Sequence, residues 1–408
     1  MILLVFFLIY SLYQYSRRHL IAAFMGGLIV FQISLSFYID QVLPLSVSNI
    51  LIEIWHLIIL YILIRPFEYY KVTTVIDPNP QKFEKFFKTI GVMNFISLII
   101  ALVFVVFVWS VVEDYGQFKG QPDVIADTLS SMGVSTKFLT ISYIFGSTFM
   151  FSLALHFYFL VKNKVFLSIV FLILSLSFPM RMLVYFSRSY LILLIILYIA
   201  YSLLIYPILS KGSKRLFKIS VSVILSLILV VGAIITINRF GAVDKNSSVD
   251  DKEGTLYQLA NYTSMWYPNM DAMNSYNLQP LGGELSDVLL DYWGLSGGKT
   301  NREIREKLWP KYYNLFVPYP TVMVFDFGII LTLLISCLLS HIFYKLRPRG
   351  GVMTIQSLVA FGVLSPIVLM NFEGCMFEEL NMHYAYIFLV ILFLYFNNKS
   401  RKQVVHNS

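Results

Sequence analysis

The chain has 408 residues, 58% of them hydrophobic and only 13% charged. Soluble domains run near half apolar and a quarter charged, so this balance excludes a soluble globular protein and points to a polytopic membrane protein. The net charge of +8 does not call for nucleic acid, because the basic residues lie in short loops between apolar runs, where a charged membrane surface accounts for them.

Apolar runs of about 20 residues, the length that crosses a bilayer as helix, recur along the chain. They predict an all-α protein with eleven spans: roughly 1–14, 20–38, 48–64, 90–112, 137–161, 165–180, 188–209, 219–237, 320–343, 352–370 and 381–397. In the first run the charges Arg17 and Arg18 follow the apolar stretch, and no small-residue cleavage site is present. It reads as a first membrane helix rather than a cleaved signal. Alternate connections hold 19 of the 31 Lys and Arg, including Arg65, Lys71, Lys82, Lys85, Lys88, Lys162, Lys164 and Lys211. By the positive-inside rule these connections and the C-terminus are cytoplasmic and the N-terminus is outside. Between spans three and four, DPNPQKFEKFFK alternates Phe with Lys and Glu. It suits a short amphipathic helix at the inner surface that anchors span four. Cys337 and Cys375 form no disulfide framework and no CxxC motif.

One long segment differs. Residues 238–319 carry eight Lys and Arg, ten Asp and Glu, and many Tyr and Trp. The chain therefore divides into 1–237 with spans one to eight, the extracytoplasmic loop 238–319, and 320–408 with the last three spans and a cytoplasmic tail. Within the loop, GELSDVLLDYWG (283–294) places Leu285, Val288, Leu289 and Tyr292 on one helical face. TNREIREKLW (300–309) opens with Thr300 three residues before Glu303, a capping box. Glycine pairs flank these pieces. Two short helices hinged by glycine suit a cap over a membrane-facing active site.

Arginines near the outer surface need a reason, because the charge rule disfavours them there. Arg181 and Arg188 flank the sixth and seventh spans, Arg239 follows the eighth, and Arg302 and Arg305 lie on the capping helix. A guanidinium binds phosphate through two parallel hydrogen bonds and stays charged. The bland reading is snorkelling to lipid head groups. Asp326, in VFDFG, falls about two helical turns into span nine. A carboxylate there faces a partner or a water-filled cavity, as an ion pair or as a base. The last outer loop, NFEGCMFEELNMHYAY, groups Glu373, Glu378, Glu379 and His383, any of which is able to take a proton from an acceptor hydroxyl. A solvated acidic turn is the alternative. Its spacing matches no metal motif. Glu53 and His56 lie three apart on one face of span three, as an interfacial pair or a proton relay. No Walker loop, dinucleotide fingerprint or nucleophile elbow is present, and no cofactor is expected. An enzyme working outside has no ATP there. Its substrate must arrive activated, as a polyprenyl-diphosphate-linked sugar does.

Two motifs resemble the O-antigen and capsule repeat-unit polymerases, the Wzy-type family. One is Ser187-Arg188-Ser189 opening a Leu/Ile-rich span. The other is Asn314-Leu315-Phe316 followed by Asp326-Phe327-Gly328 after a large outer loop. Where the family often has a further glycine, this chain has Ile329-Ile330-Leu331. The resemblance implies a metal-independent membrane-embedded glycosyltransferase at the outer face of the bacterial inner membrane. It would polymerise lipid-linked repeats into O-antigen, capsule or exopolysaccharide. Its substrates would be polyprenyl-diphosphate-linked oligosaccharides, and its neighbours membrane lipids, a flippase and a chain-length regulator, with no nucleic acid. The motifs carry Arg188, Asn314 and Asp326, with Tyr312 beside Asn314 as a substrate-binding candidate. Arg181, Arg239, Arg302 and Arg305 join the diphosphate set by location. An O-antigen ligase and a lipid-linked oligosaccharide flippase are the alternatives. The ligase typically uses a histidine in the large outer loop, and none of the six histidines lies in 238–319.

Overall fold

The computed structural model describes residues 1–77, 79–111, 135, 137–185, 187, 189–222, 226, 255–277, 279–281, 317–371 and 379–397. In chain order come α1 (Ile2–Ser16), α2 (Leu20–Tyr38), α3 (Val47–Ile64), a 3-10 turn (Arg65–Tyr69), β1 (Thr74–Ile76) and α4 (Pro80–Val111). Next are α5 (Lys137–Gly146), α6 (Phe149–Val161), α7 (Val165–Leu174), α8 (Ser177–Leu183) and α9 (Ser189–Ile205). Then follow α10 (Thr255–Ser264), a 3-10 helix (Pro268–Ser275), α11 (Tyr319–Leu346), β2 (Val352–Thr354), α12 (Ile355–Leu364), α13 (Pro366–Leu369) and α14 (Leu380–Asn397).

Among the described residues, seven helices are long and apolar enough to cross a membrane, or eight if the bent pair α5–α6 is one span. They fall on the expected runs: Leu20–Tyr38, Val47–Tyr69, Pro80–Ser110, Val165–Leu183, Ser189–Ile208, Tyr319–Leu346 and Leu380–Asn397. The first and tenth expected spans are shorter apolar helices, Ile2–Ser16 and Ile355–Leu369. Most of 219–237, and the expected capping helices 283–294 and 300–309, lie outside the described residues. The amphipathic segment before span four is the first part of α4 itself, a single 32-residue helix. The Asn79 side chain caps it by accepting the Lys82 N–H at 3.1 Å, and Pro80 occupies the first position, where a missing N–H costs nothing.

The chain forms two compact units, and neither is a continuous stretch. One comprises Met1–Lys71, Ser248–Pro348 and Leu364–His383; the other comprises Val72–Ser247, Arg349–Val363 and Tyr384–Ser408. In the first unit α1 and α2 form a hairpin whose turn places Arg18 at φ 60°. The Ser46 side chain caps α3 by accepting the Asn49 N–H at 3.1 Å. Helix α11 is broken. Gly328 sits at φ 76°, ψ 170°, a region that is essentially glycine-only. The break frees the Phe325 carbonyl, which accepts the Leu281 N–H at 2.9 Å.

In the second unit α6 is the interior helix: every residue from Phe149 to Leu160 is buried. A helix apolar all round is expected to be enclosed by others. Its Phe159 meets Phe83, Phe87 and Phe171 at ring distances of 6.1, 5.5 and 5.5 Å. The only strands among the described residues are β1 and β2, which pair in parallel with Thr74 opposite Val352 and Ile76 opposite Thr354. Lys82 Nζ donates to the Tyr395 carbonyl and, at 3.2 Å, to that of Phe396. These are last-turn carbonyls of α14, where a cation is favoured.

The α11 break gives a direct test. A Cβ at Gly328 would lie 3.2 Å from the Tyr276 hydroxyl oxygen and 3.4 Å from Pro280 Cγ, at a φ that L residues rarely adopt. Gly328→Ala is expected to cost about 1–3 kcal/mol, read as a lower thermal midpoint of the detergent-solubilised protein. Gly212→Ala, whose Cβ meets nothing within 4 Å, serves as the silent control.

Candidate functional site

In the first unit, a polar cluster ties the 266–281 segment to α3 and α11. Glu53 is buried on α3. Its carboxylate accepts the Tyr267 hydroxyl at 2.7 Å and the Ile2 N–H at 3.1 Å, and it also contacts the Met1 amine. Burial and the neighbouring Glu53 carboxylate raise the Tyr267 phenol well above its ordinary range, so the hydroxyl stays protonated and donates. Two residues beyond Pro44, whose carbonyl accepts from Asn49 at 2.9 Å, is the Ser46 cap; Asn49 in turn accepts from Asn274 at 2.8 Å. The 3-10 helix Pro268–Ser275 is thereby anchored at both ends, through Tyr267 and Asn274.

His56 is fully buried one turn along from Glu53. Its Nδ1 lies 2.8 Å from the Ile52 carbonyl, which can only accept, so Nδ1 carries the proton. Nε2 therefore accepts the Thr321 hydroxyl at 2.9 Å. Both ring nitrogens are committed, and Glu53 and His56 do not form the hydrogen-bonded pair or relay that their spacing suggested. Each is bonded instead to a residue far along the chain. Thr321 and Asp326 are both on α11, before the break, and both are fully buried. Asp326 thus occupies the last turn before Gly328, with Phe325 packed edge-on against Tyr276 at 5.3 Å.

Among the other base candidates, Glu379 is exposed, and its carbonyl accepts the Met382 and His383 N–H groups at the start of α14. His383 is half-buried in that first turn. Glu378 lies outside the described residues, as do Arg188, Arg239, Arg302, Arg305, Tyr312 and Asn314. Ser187 and Ser189, which flank Arg188, lie before α9 and at its first residue.

Arg181 is described, in the second unit, and it is only 7% exposed. It sits on α8 with its guanidinium carbon 4.4 Å from the centre of the Tyr143 ring and 5.0 Å from that of Tyr185. Nε donates to the Leu139 carbonyl at 3.4 Å, one terminal nitrogen to Met182 Sδ at 3.7 Å and the other to the Tyr185 hydroxyl at 3.3 Å. The ion pairs among the described residues are Met1–Glu53 and Lys88–Glu84, so no carboxylate neutralises Arg181 there. The Leu139 and Leu183 side chains belong to an apolar cluster with Phe104, Val105, Val108, Val184 and Leu191. Trp109 Nε1 donates to the Leu183 carbonyl at 3.0 Å and so caps the end of α8. The arrangement is a buried guanidinium held by two tyrosine rings and three long or weak acceptors beside an apolar cluster.

Sequence reasoning found Arg181 and Asp326 as charges out of place and missed Tyr143, Tyr185, Tyr267 and Thr321. Tyr185 lies four residues after Arg181, in the turn just past the end of α8, and was open to detection by its closeness in sequence. The others have no local signal. No protein-family model matches the chain, and neither a curated protein nor a solved structure matches it.

The anchor of the 266–281 segment is testable. Tyr267→Phe removes a charge-assisted bond to a buried carboxylate and is expected to destabilise the protein by about 1.5–3 kcal/mol. In a Glu53→Gln background the same change should cost clearly less. Equal losses in both backgrounds, measured by thermal denaturation, would contradict the Tyr267–Glu53 bond.

Proposed function

We propose that the chain is a membrane-embedded oligosaccharide repeat-unit polymerase acting on polyprenyl-diphosphate-linked oligosaccharides. The observation that carries this reading is the Arg181 guanidinium, buried between two tyrosine rings without a carboxylate among the described residues. Removing an ion from water costs several kcal/mol even after relaxation. Two cation–π contacts return about 0.5–2 kcal/mol each, and a carbonyl bond at 3.4 Å adds little. A bidentate phosphate would offset much of the remainder. The Asp326-Phe327-Gly328 motif adds support. It places a buried carboxylate just before a helix break at a glycine-only conformation, and a carboxylate within a membrane span is a functional candidate by default.

In this reading the acceptor hydroxyl attacks the anomeric carbon of the growing chain. The bond from that carbon to the diphosphate oxygen breaks, and the diphosphate leaves on its polyprenyl tail. The hydroxyl proton passes to a base among Asp326, Glu378, Glu379 and His383. Arg181, with Arg188, Arg239, Arg302 and Arg305, stabilises the charge that develops on the diphosphate. Tyr312 and Asn314 hold the sugar. The Lys and Arg asymmetry supports 238–319 outside and the C-terminus in the cytoplasm; the outer face of a bacterial inner membrane is what the family resemblance implies.

Topology is checked first. With Cys337 and Cys375 replaced, Ser247→Cys should react with an impermeant thiol reagent on intact spheroplasts. Labelling only after lysis would remove the site from the proposed side. Activity is checked next. Arg181→Ala and Arg188→Ala should each lower polymer formation from purified lipid-linked repeats by about 10²–10³-fold at normal protein level. Lysine cannot reproduce the planar fork of donors, so Arg181→Lys should fail as well. Wild-type polymer from Arg181→Ala would defeat the reading.

A further inference from the structure

Arg181 does not hold itself in place. Helix α8 is only seven residues long, too short to fix its own position, and it follows a break in the span Val165–Leu183 at Ser175-Leu176. Four residues before Arg181, on the same helical face, is Ser177, fully buried. Its hydroxyl donates to Asn94 Oδ1 at 2.5 Å. Asn94 is also fully buried, on α4. Its Nδ2 donates to the Thr148 hydroxyl at 2.8 Å and to the Ile90 carbonyl at 3.1 Å. The Thr148 hydroxyl in turn donates to the Phe145 carbonyl at 2.7 Å. Phe145 and Thr148 bracket the second break in this unit, where α5 and α6 bend by 41°.

One side chain therefore joins two helix breaks. One of the broken helices carries Arg181, and the other carries Tyr143, the ring on which the guanidinium rests. Packing beside this node is tight. A Cβ at Gly146 would lie 2.7 Å from Ser97 Oγ and 3.2 Å from Phe178 Cδ2, so α4, α5 and α8 meet closely there. Ser97 and Ser142 bridge α4 to α5 one turn further on, with Ser97 Oγ donating to the Ser142 carbonyl at 2.8 Å.

We propose that Asn94 is a positioning residue for Arg181, setting through Ser177 and Thr148 the distance between the guanidinium on α8 and the Tyr143 ring on α5. The inference rests on the reading of Arg181 as a diphosphate contact. A node that only stabilised the fold would need a polar centre no more than any other interior position does. An Asn buried in an apolar interior is costly unless fully bonded, and this one spends both of its groups on the two breaks.

The test is a double-mutant cycle on head-group recognition, read as the affinity ratio of purified protein in detergent for undecaprenyl diphosphate over undecaprenol. Arg181→Ala should reduce the ratio by about a hundredfold, the scale of a charged contact. Asn94→Ala, and separately Ser177→Ala, should each reduce it by about tenfold, the scale of one buried hydrogen bond. Binding of undecaprenol should stay unchanged in both. In the Arg181→Ala background neither should reduce the ratio further, because the group they position is gone. An unchanged ratio in Arg181→Ala would defeat the diphosphate reading and this inference with it. A hundredfold loss in Arg181→Ala alongside wild-type ratios in both Asn94→Ala and Ser177→Ala would overturn the positioning role alone. Equal losses from Asn94→Ala or Ser177→Ala in both backgrounds would do the same. If Asn94→Ala does not fold, Ser177→Ala carries the test.

Discussion

Backbone groups in an apolar environment must find partners within the protein, and the described residues include several helices broken inside apolar runs. At three of these breaks a hydroxyl or backbone N–H donates to nearby backbone carbonyls. At the α5–α6 bend the Ser147 and Thr148 hydroxyls donate to the Tyr143 and Phe145 carbonyls, both at 2.7 Å. At the α7–α8 turn Ser175 donates to the Leu172 carbonyl at 2.6 Å. In α11 the Leu281 N–H reaches the Phe325 carbonyl, and Thr332 donates to that of Gly328 at 2.7 Å. The hydroxyl residues Ser147, Thr148, Ser175 and Thr332 are thus accounted for. The charges worth asking about sit next to these breaks: Arg181 on α8 and Asp326 just before Gly328.

The fold was legible to the extent that it follows from apolar length. The runs 20–38 and 188–209 coincide closely with Leu20–Tyr38 and Ser189–Ile208. Breaks were not legible, because an apolar run reads the same whether straight or bent. The run 137–161 contains Gly146-Ser147-Thr148, yet small and hydroxyl residues also occur in unbroken membrane helices. The strands β1 and β2 lie in VTTVI and GVMTI, β-branched stretches too short to stand out. The grouping of α11 with α3, through Thr321 and His56, spans 265 positions and leaves no mark on local pattern.

The same distinction governs the site. A charge inside an apolar run is visible in one dimension, so Arg181, Asp326, Glu53 and His56 all stood out. Their partners are set by tertiary packing. Tyr267 lies 214 positions from Glu53, and Tyr143 lies on a different helix from Arg181. The three-residue spacing of Glu53 and His56 suggested a pair because neighbours on one helical face often interact. Here the helix offers both side chains to other elements, and spacing alone cannot tell those outcomes apart.

Two of the buried charges, Glu53 and Arg181, differ in how far the bonding shown for them fills their capacity. The Glu53 carboxylate is ringed by a phenol, a backbone N–H and an amine, and such saturation fits an anchor rather than a proton acceptor. A guanidinium has five N–H donors in a fixed fork. Arg181 commits one to a carbonyl at 3.4 Å, one to a thioether and one to a phenol at 3.3 Å, all long or weak acceptors. The ring faces of Tyr143 and Tyr185 take up positive charge without using any N–H. A purely structural cation is better served by a carboxylate, which fills the fork and neutralises the charge together. Holding the cation through π faces keeps it in place and leaves N–H donors uncommitted, which is consistent with the diphosphate contact proposed for it.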